Sequence, residues 1–177
     1  EKNPWNATTY GVGEMILDAS ERGCRKFIVG IGGSATTDGG VGMLQALGYE
    51  FLDSNGSSIR TGIRDLDKIE SIHADKVDPL LRECRFEVAC DVANPLYGKN
   101  GAVYVFGPQK GVKEEEKQLL DDKMHHYAVK TKEFTGLDNS MHKGAGAAGG
   151  LGFAFLSYLC NAQLKSGIDI VLDAIRL

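Results

Sequence analysis

Between Gly30 and Gly42 the chain places six glycines in thirteen positions and sets among them three hydroxyls, Ser34, Thr36 and Thr37, and one carboxylate, Asp38. Glycine inside a regular element costs roughly 0.5–1 kcal/mol relative to alanine. Such a density therefore points to a loop that needs positive φ or must let something approach its amides. An apolar, helix-like run, residues 41–47, follows directly. Amides and hydroxyls gathered at a helix N-terminus can receive an anion, the dipole adding about 0.3–1 kcal/mol and each charge-assisted hydrogen bond about 1.5–3 kcal/mol. A tight turn capped by Asp38 or Thr37 would need only one of these polar residues. The chemistry expected here is recognition of an anion, with a phosphate the obvious candidate, by the loop's amides and hydroxyls.

Three further places carry chemistry-bearing residues. Asp91 closes the strand-like run of residues 85–92, where open α/β sheets put ligand groups; it can hold a metal ion, accept a proton, or bond the amides of its own turn. Lys110 stands in Gly107-Pro108-Gln109-Lys110-Gly111, read as a loop from which a lysine can reach a phosphate or simply be solvated. Residues 144–152 hold five glycines in nine positions ahead of the apolar run 153–160, read as a buried helix. Gly144, Gly146 and Gly149 can serve a second anion pocket or allow close packing. The spacing Gly30-x-Gly32-x-x-Ala35, with Asp53 ending the next strand, also fits a dinucleotide fingerprint, although residues 36–40 intervene before the helix. An NAD(P)-dependent oxidoreductase and a non-catalytic binding module thus stand as alternatives. A Walker A loop does not, because no Gly-Lys-Ser/Thr closes either cluster. His125 and His126 are adjacent on a helix, about 100° apart, and read as surface residues rather than a chelating pair.

These residues need a scaffold, and the patterning supplies an α/β one. A helix is expected over 11–22, with Val12, Met15, Ile16 and Ala19 on its inner face and Gly23 as its stop. A strand leads into the first glycine cluster, and further strands are expected at 49–53, 85–92, 102–106 and 167–173. A long amphipathic helix over 112–134 would bury Leu120, Met124, Tyr127 and Phe134. The fold class is α/β, a mixed, mostly parallel sheet covered by helices with glycine-rich loops at the strand and helix junctions. Residues 1–177 form one domain, with an excursion from the sheet over 54–84.

With 177 residues, 42% of them hydrophobic, the chain can bury a sizeable core. A net charge of −4 argues against nucleic acid or an anionic membrane as a partner. No run of eighteen apolar residues and no signal peptide are seen, so a cytoplasmic protein is expected. The four cysteines, Cys24, Cys84, Cys90 and Cys160, form no Cys-x-x-Cys pair and read as buried thiols. The first residue is Glu1, and an apolar strand is expected next to the last; both suggest excision from something longer.

Four stretches taken in order, Ile31-Gly32-Gly33-Ser34-Ala35-Thr36-Thr37-Asp38-Gly39-Gly40, Ala89-Cys90-Asp91-Val92-Ala93-Asn94-Pro95-Leu96, Phe106-Gly107-Pro108-Gln109-Lys110-Gly111 and Gly144-Ala145-Gly146-Ala147-Ala148-Gly149-Gly150-Leu151-Gly152, resemble the bacterial type-1 glycerate kinase family. The resemblance implies transfer of the γ-phosphate of ATP, with Mg²⁺, to a hydroxyl of D-glycerate, giving 2-phosphoglycerate or, by older naming, 3-phosphoglycerate. It implies that Asp38 and Asp91 hold Mg²⁺ or take the hydroxyl proton. Gly32, Gly33, Ser34, Thr36 and Thr37 would supply amides and hydroxyls to a phosphate or to the glycerate carboxylate. Lys110 would offset charge on the transferring group, and Gly144, Gly146 and Gly149 would line a second anion pocket. Family members are longer, with N- and C-terminal segments whose motifs are missing here. The chain accordingly resembles the central domain of a two-domain kinase, and the resemblance leaves room for a homodimer.

Overall fold

A computed structural model describes residues 2–175. Helix α1 (Tyr10–Glu21) ends at Arg22, and Gly23, at φ +94°, turns the chain into β1 (Lys26–Gly30). The first glycine cluster follows, then α2 (Val41–Ala46). Next come β2 (Glu50–Leu52), β3 (Ser71–His73) and β4 (Arg85–Ala89). The second half runs α3 (Ala102–Lys110), α4 (Lys117–Thr135), α5 (Leu151–Tyr158), β5 (Ala162–Lys165) and α6 (Gly167–Ile175).

The main sheet has the order β1-β4-β5 and is parallel throughout. Phe27 pairs with Phe86 and Val29 with Val88, which sets one apolar face toward the core; there Phe86 meets Phe155 of α5 at 5.7 Å between ring centroids. On the other face Glu87 and Lys165 form a 2.6 Å ion pair, and α6 packs beside them against β4. Tyr127 and Phe153 cross edge to face at 5.4 Å, joining α4 to α5, and Phe51 of β2 packs against Tyr127. Leu120, Met124 and Tyr127 are buried as the helical spacing requires, while Phe134, on the last turn of α4, stays exposed.

The α/β class with helices flanking a parallel sheet is what the patterning led us to expect, but several elements differ. The 49–53 strand joins an antiparallel pair with β3 rather than the main sheet, so the departure from that sheet begins at β2. Residues 102–106 are helical, not extended. The β-branched and aromatic run favours a strand, but Val103 is sealed in the core, and Gly107 lets α3 sit against Val112. Residues 167–173 likewise form α6, because Asp91 Oδ1 takes the Gly167 N–H at 2.9 Å and the Ser166 hydroxyl at 3.2 Å, capping a helix start. On α1 the buried line is Gly13, Ile16 and Ser20, and Met15 is exposed. Cys24 and Cys160 are exposed rather than buried, the latter because α5 already ends at Tyr158.

The contact of α1 with α2 yields a test. A Cβ on Gly13 would lie 2.4 Å from the Met43 carbonyl oxygen, whereas one on Gly11 meets nothing within 4 Å. Gly13→Ala is expected to lower stability by about 1–3 kcal/mol. Gly11→Ala should raise it by about 0.4–1 kcal/mol, read from paired urea denaturation curves.

Candidate active site

β1 and β4 lie side by side with Gly30 opposite Ala89, and both strands run out of the sheet at the same end. A cavity of about 320 Å³ opens there, lined by Gly32, Gly33 and Ser34 after β1, by Asp91 after β4, and by Lys110 from α3. That is where open parallel sheets place ligands. Lys110 belongs to the last residue of a helix rather than to a loop, and Gly111, at φ +99°, ends that helix in the left-handed conformation.

Lys110 is only 5% exposed, and its Nζ donates to Ser34 Oγ at 2.9 Å and to the Thr36 carbonyl at 2.6 Å. Burial pushes its pKa down to about 8, against the pull of the Asp38 charge nearby. The side chain is therefore a cation held at the cavity wall by neutral acceptors, free to pair with an incoming anion. Gly33 needs its φ of +65°. Gly30 and Gly32 need no such angle, and a Cβ on either would meet nothing within 4 Å. Nothing in the described chain demands glycine at these two cavity positions, and their bare backbone leaves the cavity open on that side.

The structure separates the two acids that were expected to work together. Asp38 is fully buried and does not line the cavity. Its carboxylate accepts from Thr9 N at 2.8 Å, Thr9 Oγ1 at 2.9 Å, Thr8 Oγ1, Gly40 N and Gly42 N. Burial pushes its pKa up while these donors pull it down. It anchors the loop from behind, with its carboxylate engaged by these donors rather than lining the cavity. Thr36 contributes its carbonyl rather than its hydroxyl, and Thr37, also buried, turns its hydroxyl toward the Pro4 carbonyl.

The second glycine cluster is packed shut rather than open. A Cβ on Gly149 would stand 2.0 Å from the Thr36 oxygen, on Gly146 2.2 Å from the Pro95 oxygen, and on Gly144 2.8 Å from Cys90 Sγ. Gly39 N–H donates to the Gly149 carbonyl at 2.9 Å, so this cluster braces the first. The expected second anion pocket at Gly144, Gly146 and Gly149 is thus replaced by loop-on-loop packing. What does reach the cavity is Ala147 and Ala148. Ala148 has φ +52°, the one positive φ outside glycine among the described residues, a conformation that costs roughly 1–2 kcal/mol. Sequence reasoning missed it, since a residue set among glycines gives no sign of which neighbour is strained.

A divalent cation bound to a nucleoside triphosphate usually takes one or two carboxylates, with phosphates and water completing its shell. Asp91 fits that single-carboxylate role: it lines the cavity, and the hydrogen bonds from Ser166 Oγ and Gly167 N both fall on Oδ1. Among the described residues no group of three or more His, Cys, Asp or Glu could hold a metal by itself. The dinucleotide alternative loses its geometry. α2 starts only at Val41, and Asp53 follows a strand of the antiparallel pair, where it accepts from Asn55 N and Ser57 N in a turn of its own.

Residues 1–177 match the glycerate kinase family over their whole length. The chain belongs to that family. It is 48% identical over 177 residues to glycerate 2-kinase of Escherichia coli and 49% identical over 175 residues to a glycerate kinase of Bacillus subtilis, covering 100% and 99% of this chain and 46% of each relative. A solved structure described as a candidate glycerate kinase 2 from Salmonella typhimurium matches with a TM-score of 0.95 at 45% identity, over 99% of this chain and 47% of that one. The chain therefore spans about half the length of these glycerate kinases. No described helix is long and apolar enough to cross a membrane.

Two sets of substitutions separate bracing from binding. Gly30→Ala and Gly32→Ala should leave unfolding free energy within about 0.5 kcal/mol of the parent while weakening anion binding; Gly149→Ala should cost about 2 kcal/mol or more. Equal thermal shifts for all three would contradict the distinction. Asp38→Ala strands several buried donors and is expected to cost about 3 kcal/mol or more in chemical denaturation, whatever ligand is present.

Proposed function

We propose that the polypeptide carrying this chain is a glycerate kinase, transferring the γ-phosphate of ATP to a hydroxyl of glycerate. The name of the Escherichia coli relative favours 2-phosphoglycerate as product. The observation that carries this reading is a buried lysine facing a bare glycine backbone at the carboxyl ends of parallel strands. Phosphoryl transfer depends chiefly on positioning and on neutralising the oxygens of the transferring group. Lys110 supplies the positive charge, the amides of Gly32, Gly33 and Ser34 supply donors, and Asp91 holds Mg²⁺ or receives the acceptor's proton. Mg²⁺, when bound, neutralises phosphate charge. Asp38 keeps the loop in place.

In this reading residues 1–177 are one domain of a longer, two-domain cytoplasmic enzyme, and the segments present in the relatives supply the remaining contacts to ATP and glycerate. Coverage of 46% of each relative supports that arrangement.

The test is a coupled ADP-release assay on the full-length polypeptide with Mg²⁺, ATP and D-glycerate. Lys110→Met should lower kcat/KM by about 100-fold or more, the size expected for removing a transition-state charge partner. Lys110 in its protonated form is present below its pKa and lost above it. For the parent, kcat/KM should therefore fall as pH rises through about 8. Turnover that is indifferent to Lys110→Met would sink the assignment.

A further inference from the structure

The pair formed by Ser34 and Lys110 has a chemistry beyond charge neutralisation. Ser34 Oγ is half-buried, lines the cavity and sits 2.9 Å from Lys110 Nζ, while the Thr36 carbonyl takes another N–H of the same nitrogen at 2.6 Å. When Lys110 loses its proton, that carbonyl still holds one remaining N–H, and the lone pair is left facing the Ser34 hydroxyl. A serine whose proton can pass to a fixed neutral lysine is an activated nucleophile. The bare backbone of Gly30 and Gly32 leaves room beside it for an anion.

We propose that Ser34 is a phosphoryl acceptor: when the acceptor acid is missing, Ser34 takes the γ-phosphoryl group of bound ATP. In this step Ser34 Oγ forms the new O–P bond and the bond between the γ-phosphorus and the bridging oxygen breaks. ADP leaves with that electron pair, and the Ser34 proton moves to Lys110 Nζ, making it an ammonium. The inference rests on the kinase reading for its phosphoryl donor.

The charged groups around Lys110 are Asp38, behind the loop, and Asp91, which lines the same cavity. Burial outweighs the influence of Asp38 and brings the Lys110 pKa down to about 8. Before ATP binds, the neutral amine therefore grows from a minor fraction near pH 7 to about half near pH 8, and the charge of bound ATP lowers both fractions. The product would be self-limiting in a useful sense, since a phosphate on Ser34 fills the cavity and pairs with Lys110.

The experiment incubates the full-length protein with Mg²⁺ and γ-labelled ATP without glycerate, quenches in acid and maps labelled peptides, with glycerate turnover measured in parallel. The expected result is label on Ser34 that survives hydroxylamine, as a phosphoserine does and an aspartyl phosphate does not. Its initial rate should rise from pH 7 to pH 8 by between about fivefold and about tenfold, the limit for one proton, since bound ATP can only lift the Lys110 pKa; this is the opposite of glycerate turnover. Lys110→Arg, which keeps the charge but cannot accept a proton, should lower labelling at least tenfold. Hydroxylamine-sensitive label, label on another residue, label indifferent to Lys110→Arg, or turnover of glycerate with no label on Ser34 would each overturn the proposal. Absence of both turnover and ATP binding would instead remove the kinase reading on which it stands.

Discussion

A carboxylate sealed from water has to be met by donors, and Asp38 draws its donors from two directions. Thr8 and Thr9 reach it from the segment before α1, and the amides of Gly40 and Gly42 reach it from the turn into α2. An unpaired buried charge would be far costlier than any of these contacts. The positions of α1, α2 and the glycine loop are therefore not independent. Thr9 Oγ1 also receives the Met43 amide, which ties the same node into the first turn of α2. Gly42 is required by the closeness of the arrangement, since a Cβ there would come 2.9 Å from Asp38 Oδ2.

The loop held in this way presents opposite properties on its two sides. Behind it, Gly149 and Gly150 pack against Thr36 and Gly39 so closely that no side chain fits. In front, Gly30 and Gly32 border open space. The composition that first suggested two anion pockets thus has two causes, contact between backbones in one cluster and access to the backbone in the other. A count of glycines registers both in the same way. Only the φ angle and the nearest atom at each position tell them apart.

How much of this was legible follows the same division. The strand into the first cluster, the strand ending near Asp91 and the helix bearing Leu120, Met124 and Tyr127 were readable because their burial follows their own local period. Residues 102–106 and 167–173 were misread as strands because their β-branched and aromatic composition is local, whereas what makes them helical is remote. Val103 is buried in the core, and Asp91 caps α6 across 76 positions of sequence. Asp91 itself was correctly placed at a strand end, but its hydrogen bonds go to that distant helix rather than to its own turn. Lys110 was picked out for its charge among Gly and Pro. Its real setting, the last turn of α3 with its ammonium sunk against Ser34 and Thr36, depends on residues 74 and 76 positions away.

Loss of Asp38 from the cavity changes the electrostatic balance that a phosphate would meet. With both acids at the site, two negative charges would face one lysine, and an anion would enter against net repulsion. With Asp38 turned inward, its charge is spread over five donors and acts on Lys110 only by favouring the protonated state. The cavity wall is left with Lys110, backbone amides and Asp91, whose Oδ1 is engaged by Ser166 and Gly167. The cation arrives there on the last residue of α3 and the carboxylate from the segment just after β4, where its bonds to Ser166 and Gly167 at the start of α6 hold it. Lys110 and the loop amides would meet the phosphate directly, whereas Asp91, itself an anion, could meet it only through a bridging cation; that division of labour is the preorganisation that phosphoryl transfer rewards.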